Sequence, residues 1–153
     1  MASRAEIDIL LPLIVGTTTT IAAIFIHALA MIMIVHFVRR ERRLGWAGVV
    51  FWKDVTVVTG AVLVALAAHL IQMAAWAIVF ELCGEFREFG AALCNSAGNY
   101  TTLGCGDKVL SARWRLLGPF EAANGMLMFG LTTAMLFAVV QRLLQARLGD
   151  SRA

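Results

Sequence analysis

Between Ile9 and Val38 the chain runs without a single acidic or basic side chain apart from two histidines, His27 and His36. As a helix this run reaches roughly 45 Å, against roughly 30 Å for the hydrocarbon core of a bilayer. Two further long apolar stretches follow, at about Val55–Phe80 and Pro119–Leu144. Three such stretches constrain the fold more than any other feature, because a backbone that crosses lipid must satisfy its own hydrogen bonds and does so as a helix. The composition agrees, with 60% apolar and 15% charged residues and a mean hydropathy of +0.80. The chain is read as an all-α integral membrane protein with three transmembrane helices. The first is expected to tilt or fray around Pro12 and Gly16. The balanced charges before it (Arg4, Glu6, Asp8) and its length do not suit a secretory signal peptide.

The first stretch ends at Arg39-Arg40-Glu41-Arg42-Arg43. Residues 39–54 carry five basic side chains and two acidic ones, which by the positive-inside tendency sets this loop in the cytoplasm and the N-terminus outside. Trp46 and Trp52 fall where interfacial aromatics are expected, and residues 44–53 leave room for a helix lying on the membrane. The second stretch carries no Arg or Lys at intervals of three, so charge movement through the field is not its means of gating. The net charge of +3 lies mostly in connecting segments and calls for no nucleic acid. The three cysteines fit no zinc pattern; a Cys83–Cys94 bridge and packing as small apolar residues are both open.

Residues 81–118 hold the part that is neither span nor simple loop. Phe86 to about Gly98 reads as a helix too short to cross the core, running into Thr102-Leu103-Gly104-Cys105-Gly106-Asp107. Short helices and irregular backbone at membrane depth are tolerated where protein buries them or where they line water. Glycine accepts positive φ, and alternating it with other residues lets successive carbonyls face one axis. Rings of such carbonyls can replace a cation's hydration shell. The expectation is a re-entrant helix whose carbonyl end favours a cation. Gly118-Pro119 then opens the third span, with Glu121 in its first turn.

This order, together with Asn99-Tyr100-Thr101-Thr102-Leu103-Gly104, Gly106-Asp107, Trp114-Arg115-Leu116-Leu117-Gly118 and Glu121-Ala122-Ala123-Asn124-Gly125, resembles the pore module of the potassium-channel superfamily. It is similar to small bacterial two-helix-pore ion channels, over roughly residues 57–145. The resemblance implies a selectivity filter in which the carbonyls of Thr102, Leu103, Gly104 and Cys105, with the Thr102 hydroxyl, bind ions. Gly104 and Gly106 would permit the backbone geometry, and Asp107 would attract cations at the outer mouth. It also divides the chain into an N-terminal helix and basic loop (1–54), a pore module (55–146) and a short cytoplasmic tail (147–153).

One chain supplies one loop, so a ring implies a homotetramer, or a heteromer with a sister chain. The expected function is passive conduction of K⁺ or other monovalent cations across the cell (inner) membrane, with the lipid bilayer as surroundings, no enzyme activity and no cofactor. Thr132, Thr133 and Leu136 are inner-cavity candidates, and Gly125 and Gly130 hinge candidates. Cys105 stands where the family usually has Tyr or Phe to brace the filter, and Cys94 and Asn95 stand where the pore helix often offers aromatic partners. A non-selective pore and a non-conducting subunit are the alternatives. A haem held by His27 and His69 is the reading from another class.

Overall fold

The computed structural model describes residues 2–44, 51–104 and 109–150, with residues 2–8 and 147–150 described through their backbone alone. The described residues form four α-helices: α1 (Ala2–Arg43), α2 (Phe51–Leu82), α3 (Phe89–Tyr100) and α4 (Leu117–Asp150). Three contain segments long and apolar enough to cross a membrane, Ile9–Arg43, Phe51–Leu82 and Leu117–Ala146. α3, at 12 residues, is about 18 Å long and too short to do so. The protein is thus an all-α, multi-pass membrane protein.

The spans run longer than hydropathy indicates. α1 stays helical through Pro12 and through Arg39–Arg43. Charged side chains at a helix end do not break its hydrogen bonds, and cations there suit the helix dipole. α4 begins at Leu117, so Pro119 lies in the first turn while Glu121 does not. Glu121 is fully buried and serves packing, not the helix terminus. The expected helix at 86–98 is shifted to 89–100. The surface helix considered for 44–53 lies mostly outside the described residues, as does Trp46.

The chain folds as two compact units, one of residues 1–26 and 70–128, the other of residues 27–69 and 129–153. The first is built around α3. Its core contains Trp76, Phe80, Tyr100, Leu117 and Met128, with Val15 and Phe120 packed against them. Trp76 is wholly buried there. The second unit packs Ile34 and Val38 of α1, Val57, Ala61 and Ala65 of α2, and Val139 and Leu143 of α4. Gly60 lets Phe37 lie close, since a Cβ there would come within 2.8 Å of the ring.

Candidate functional site

The site begins with how α3 is held. Its sequence offers few large apolar side chains, so polar contacts fix it within its unit. Ser96, fully buried, donates to the Met73 carbonyl of α2 at 2.8 Å and is also in hydrogen-bond contact with the Glu121 carboxyl of α4. The Tyr100 hydroxyl donates to Gln72 Oε1 of α2 at 2.9 Å, and both residues are fully buried. At the end of α3, Gly125 of α4 meets the Tyr100 carbonyl so closely that a Cβ would stand 2.0 Å from the oxygen. Gly125 lies eight residues beyond the start of α4, about 12 Å along that helix. The end of α3 therefore reaches well into the depth of a membrane span.

There the backbone changes character. Thr101 caps the helix at φ −86°, ψ 0°. Thr102 follows at φ +60° and Gly104 at φ +70°, with no positive φ at Leu103 between them. For glycine this costs nothing; for threonine a left-handed backbone costs about 1–2 kcal/mol. Hydrogen bonds hold the segment in place: Thr101 N–H and Oγ1 donate to the Ala97 carbonyl, Thr102 N–H to Asn99, and Gly104 N–H to Gly98. The last carbonyls of α3 are thus partly used by the loop itself. Thr101 to Gly104 are all exposed in the single chain, with Leu103 at 79%. Cys105, Gly106 and Asp107 lie outside the described residues.

Tyr100, five residues beyond Asn95, ties the end of α3 to α2 through Gln72. The sequence carried a signal for this, a tyrosine in α3 and a glutamine in the apolar α2, but no spacing rule pairs residues 28 apart. Glu121 was read as a helix-end charge for the same reason. Cys83 and Cys94 are free thiols and not a disulfide, Cys94 being exposed. Burial, with the Glu85 carboxylate nearby, pushes the Cys83 thiol above its ordinary range, against a smaller opposing effect of Arg113. Glu85 accepts two bonds from Ser111, at 3.0 Å from its N–H and 2.5 Å from its hydroxyl.

The remaining candidates lie in the second unit. Thr132 Oγ1 is engaged by two histidines, His69 Nε2 at 3.0 Å and His27 Nε2 at 3.3 Å. Leu136 packs beside the core of that unit, while Thr133 is exposed and bonds its hydroxyl to the Phe129 carbonyl. Gly130 has nothing within 4 Å of a built Cβ. His27 and His69, with ring centroids 5.4 Å apart, share one hydroxyl and do not face each other across a space for a macrocycle, so the residues do not fit a haem.

Residues 62–142, more than half of the chain, match the model of a family described as an ion channel. No curated protein and no solved structure gives a match.

Proposed function

The chain belongs to the ion-channel family whose model it matches over residues 62–142, and on that premise we propose that it is one subunit of a homotetrameric, K⁺-conducting channel of the cell (inner) membrane. The observation that carries this reading is the backbone after α3. Left-handed φ at alternate residues, Thr102 and Gly104, is the kind of backbone in which successive carbonyls can face one side, as a ring of cation ligands requires. The segment is exposed, at a depth where lipid would leave its carbonyls unsatisfied. Four such loops around an axis supply both the protein and the water it needs.

In this reading the carbonyls of Thr102, Leu103, Gly104 and Cys105, with the Thr102 hydroxyl, replace the hydration shell of a monovalent cation. Gly106 allows the next turn of the backbone, and Asp107 concentrates cations at the outer mouth. The Tyr100–Gln72 bond supports α3 where Cys105 offers no ring, which favours K⁺ over Na⁺ without the usual brace. Arg39–Arg43 sets the N-terminus outside and the C-terminus in the cytoplasm. Thr133 lines the inner cavity and Gly130 is the point of bending in α4.

The test is cation flux into liposomes holding the purified protein, with K⁺ and Na⁺ gradients compared and Cys105→Tyr run alongside. K⁺ flux well above Na⁺ flux in the native protein supports the reading. Equal fluxes, with K⁺ preference appearing only in Cys105→Tyr, replace it with a non-selective pore. An absence of flux in both counts against conduction by this chain alone.

A further inference from the structure

The last turns of α1 carry Arg39, Arg40, Arg42 and Arg43 directly after an apolar run that ends at Val38. The tendency of basic residues to flank membrane spans accounts for their number. It does not account for how they are arranged. Ile34, Val38 and Glu41 follow one another at helical spacing, the first two buried in the core of their unit and Glu41 half-buried. The one carboxylate of the run therefore lies on the packed side of the helix. All four arginines are exposed, and among the described residues no ion pair engages them.

His36, Arg39, Arg40 and Arg43 stand at i, i+3, i+4 and i+7, which is one face of a helix. Together with Leu44 they line a hollow of about 540 Å³, within the range of roughly 300–1,000 Å³ usual for small-molecule sites. Arg39, Arg42 and Arg43 line a second hollow of about 400 Å³, so Arg39 and Arg43 belong to both. His36 Nδ1 donates to the Ile32 carbonyl at 2.9 Å, which fixes the ring at the edge of the first hollow and leaves the guanidinium groups to supply its charge. Leu44 and the arginine stems add apolar wall. Phe51 and Trp52 open α2 in the same unit, their rings 5.5 Å apart and Trp52 73% exposed, as aromatics are placed at the level of lipid headgroups.

We propose that this face of α1 binds the phosphate of an anionic phospholipid in the leaflet where the helix ends, with Arg39 and Arg43 as its anchors and Arg40 and Arg42 beside them. The chemistry selects the ligand. A guanidinium group meets a phosphate with two parallel hydrogen bonds, which a point charge cannot do. A zwitterionic headgroup brings an ammonium of its own into the cluster, so the lipid is one with net negative charge. A free phosphate offers the same oxygens but nothing to lie against Leu44 and the arginine stems. The arginines also follow a membrane span directly, at the level where headgroups stand. The family match begins at residue 62, so the site belongs to the part of the chain before it. It is independent of whether the chain conducts.

The test is lipid binding by purified protein in a non-ionic detergent, followed by native mass spectrometry and thermal unfolding, with phosphatidylglycerol and phosphatidylcholine of equal chain length. Native protein is expected to retain one phosphatidylglycerol per chain, at least tenfold more tightly than phosphatidylcholine, and to unfold at a higher temperature with it. Arg39→Gln/Arg43→Gln changes exposed positions, leaves the packed face of α1 untouched, and should lose that preference. Arg39→Lys/Arg43→Lys keeps the charge but not the paired hydrogen bonds, and should lose most of it. Arg113→Gln/Arg115→Gln removes as much charge from the segment before α4 and should keep it. Equal retention of the two lipids by native protein overturns the proposal. So does an unchanged preference in the glutamine or lysine variant of Arg39 and Arg43, or its loss in Arg113→Gln/Arg115→Gln. Inorganic phosphate that raises the unfolding temperature as much as the lipid does would make this a site for a free anion, and overturns it too.

Discussion

Gly125 has no room for a side chain. A methyl group there would press on the Tyr100 carbonyl from 2.0 Å, and that oxygen belongs to the end of α3, which cannot retreat without moving the loop after it. Gly125→Ala is therefore expected to destabilise the unit by at least about 1–3 kcal/mol, seen as a lower unfolding temperature and loss of the assembled peak on size exclusion. Gly130→Ala is the control: nothing stands within 4 Å, and alanine gains about 1 kcal/mol in a helix, so stability should hold or rise. Both glycines read alike in the sequence, which shows where a side chain is missing but not what occupies its place. Tyr100 was equally opaque, because its partner Gln72 is 28 residues away. Tyr100→Phe removes the only donor atom of that bond, at a cost of about 1–3 kcal/mol, and should raise the Na⁺-to-K⁺ flux ratio while leaving total flux measurable. At Cys83, burial raises the thiol above its ordinary value, so its thiolate is scarcer at neutral pH than that of a free cysteine. Alkylation of Cys83, followed by peptide mass spectrometry, should accordingly be slow at pH 7 and keep accelerating as pH rises beyond the point where an ordinary thiol has levelled off.

At the scale of elements, the three spans were legible because hydropathy needs only length and the absence of charge, and both are one-dimensional. Their ends were less so. α1 passes through Pro12, an interior position that forgoes one backbone hydrogen bond, and keeps its arginines helical, since terminal charge need not end a helix. The re-entrant helix was legible as a contrast, a short segment between long ones, but its support was not. Side-chain contacts that hold α3 include Ser96 to the Met73 carbonyl, Ser96 to Glu121, and Tyr100 to Gln72. Each joins residues more than 20 positions apart, beyond any helical period. Ser96 takes part in two of these, so Ser96→Ala leaves a buried carbonyl and a buried carboxyl each with one partner fewer. The expected cost is about 2–4 kcal/mol, at the upper end of single substitutions, and a thermal shift clearly larger than that of Thr133→Ala, whose hydroxyl is exposed, checks it.

For the whole molecule, the proposed pore depends on how many chains share one axis. Leu103 is 79% exposed and the backbone carbonyls around it lie beside membrane spans, a state that lipid does not tolerate and a shared water-filled axis would. The sequence made the need for partners legible, because one chain has one loop, but left their number to the resemblance. Dosage measures that number. Gly104 sits at φ +70°, where alanine is strained, so Gly104→Ala should spoil the filter while leaving the packing of the spans intact. Co-expression of native and Gly104→Ala chains in equal amounts distributes them at random among assemblies. If one spoiled loop stops conduction, a tetramer retains about one-sixteenth of the all-native flux, a dimer about one quarter and a lone chain about one half. Native mass spectrometry of the same preparation should show four times the 16.6 kDa chain, with mixed species in binomial proportion. A residual flux near one half, with the mass of a single chain, would falsify the tetramer and with it the carbonyl ring.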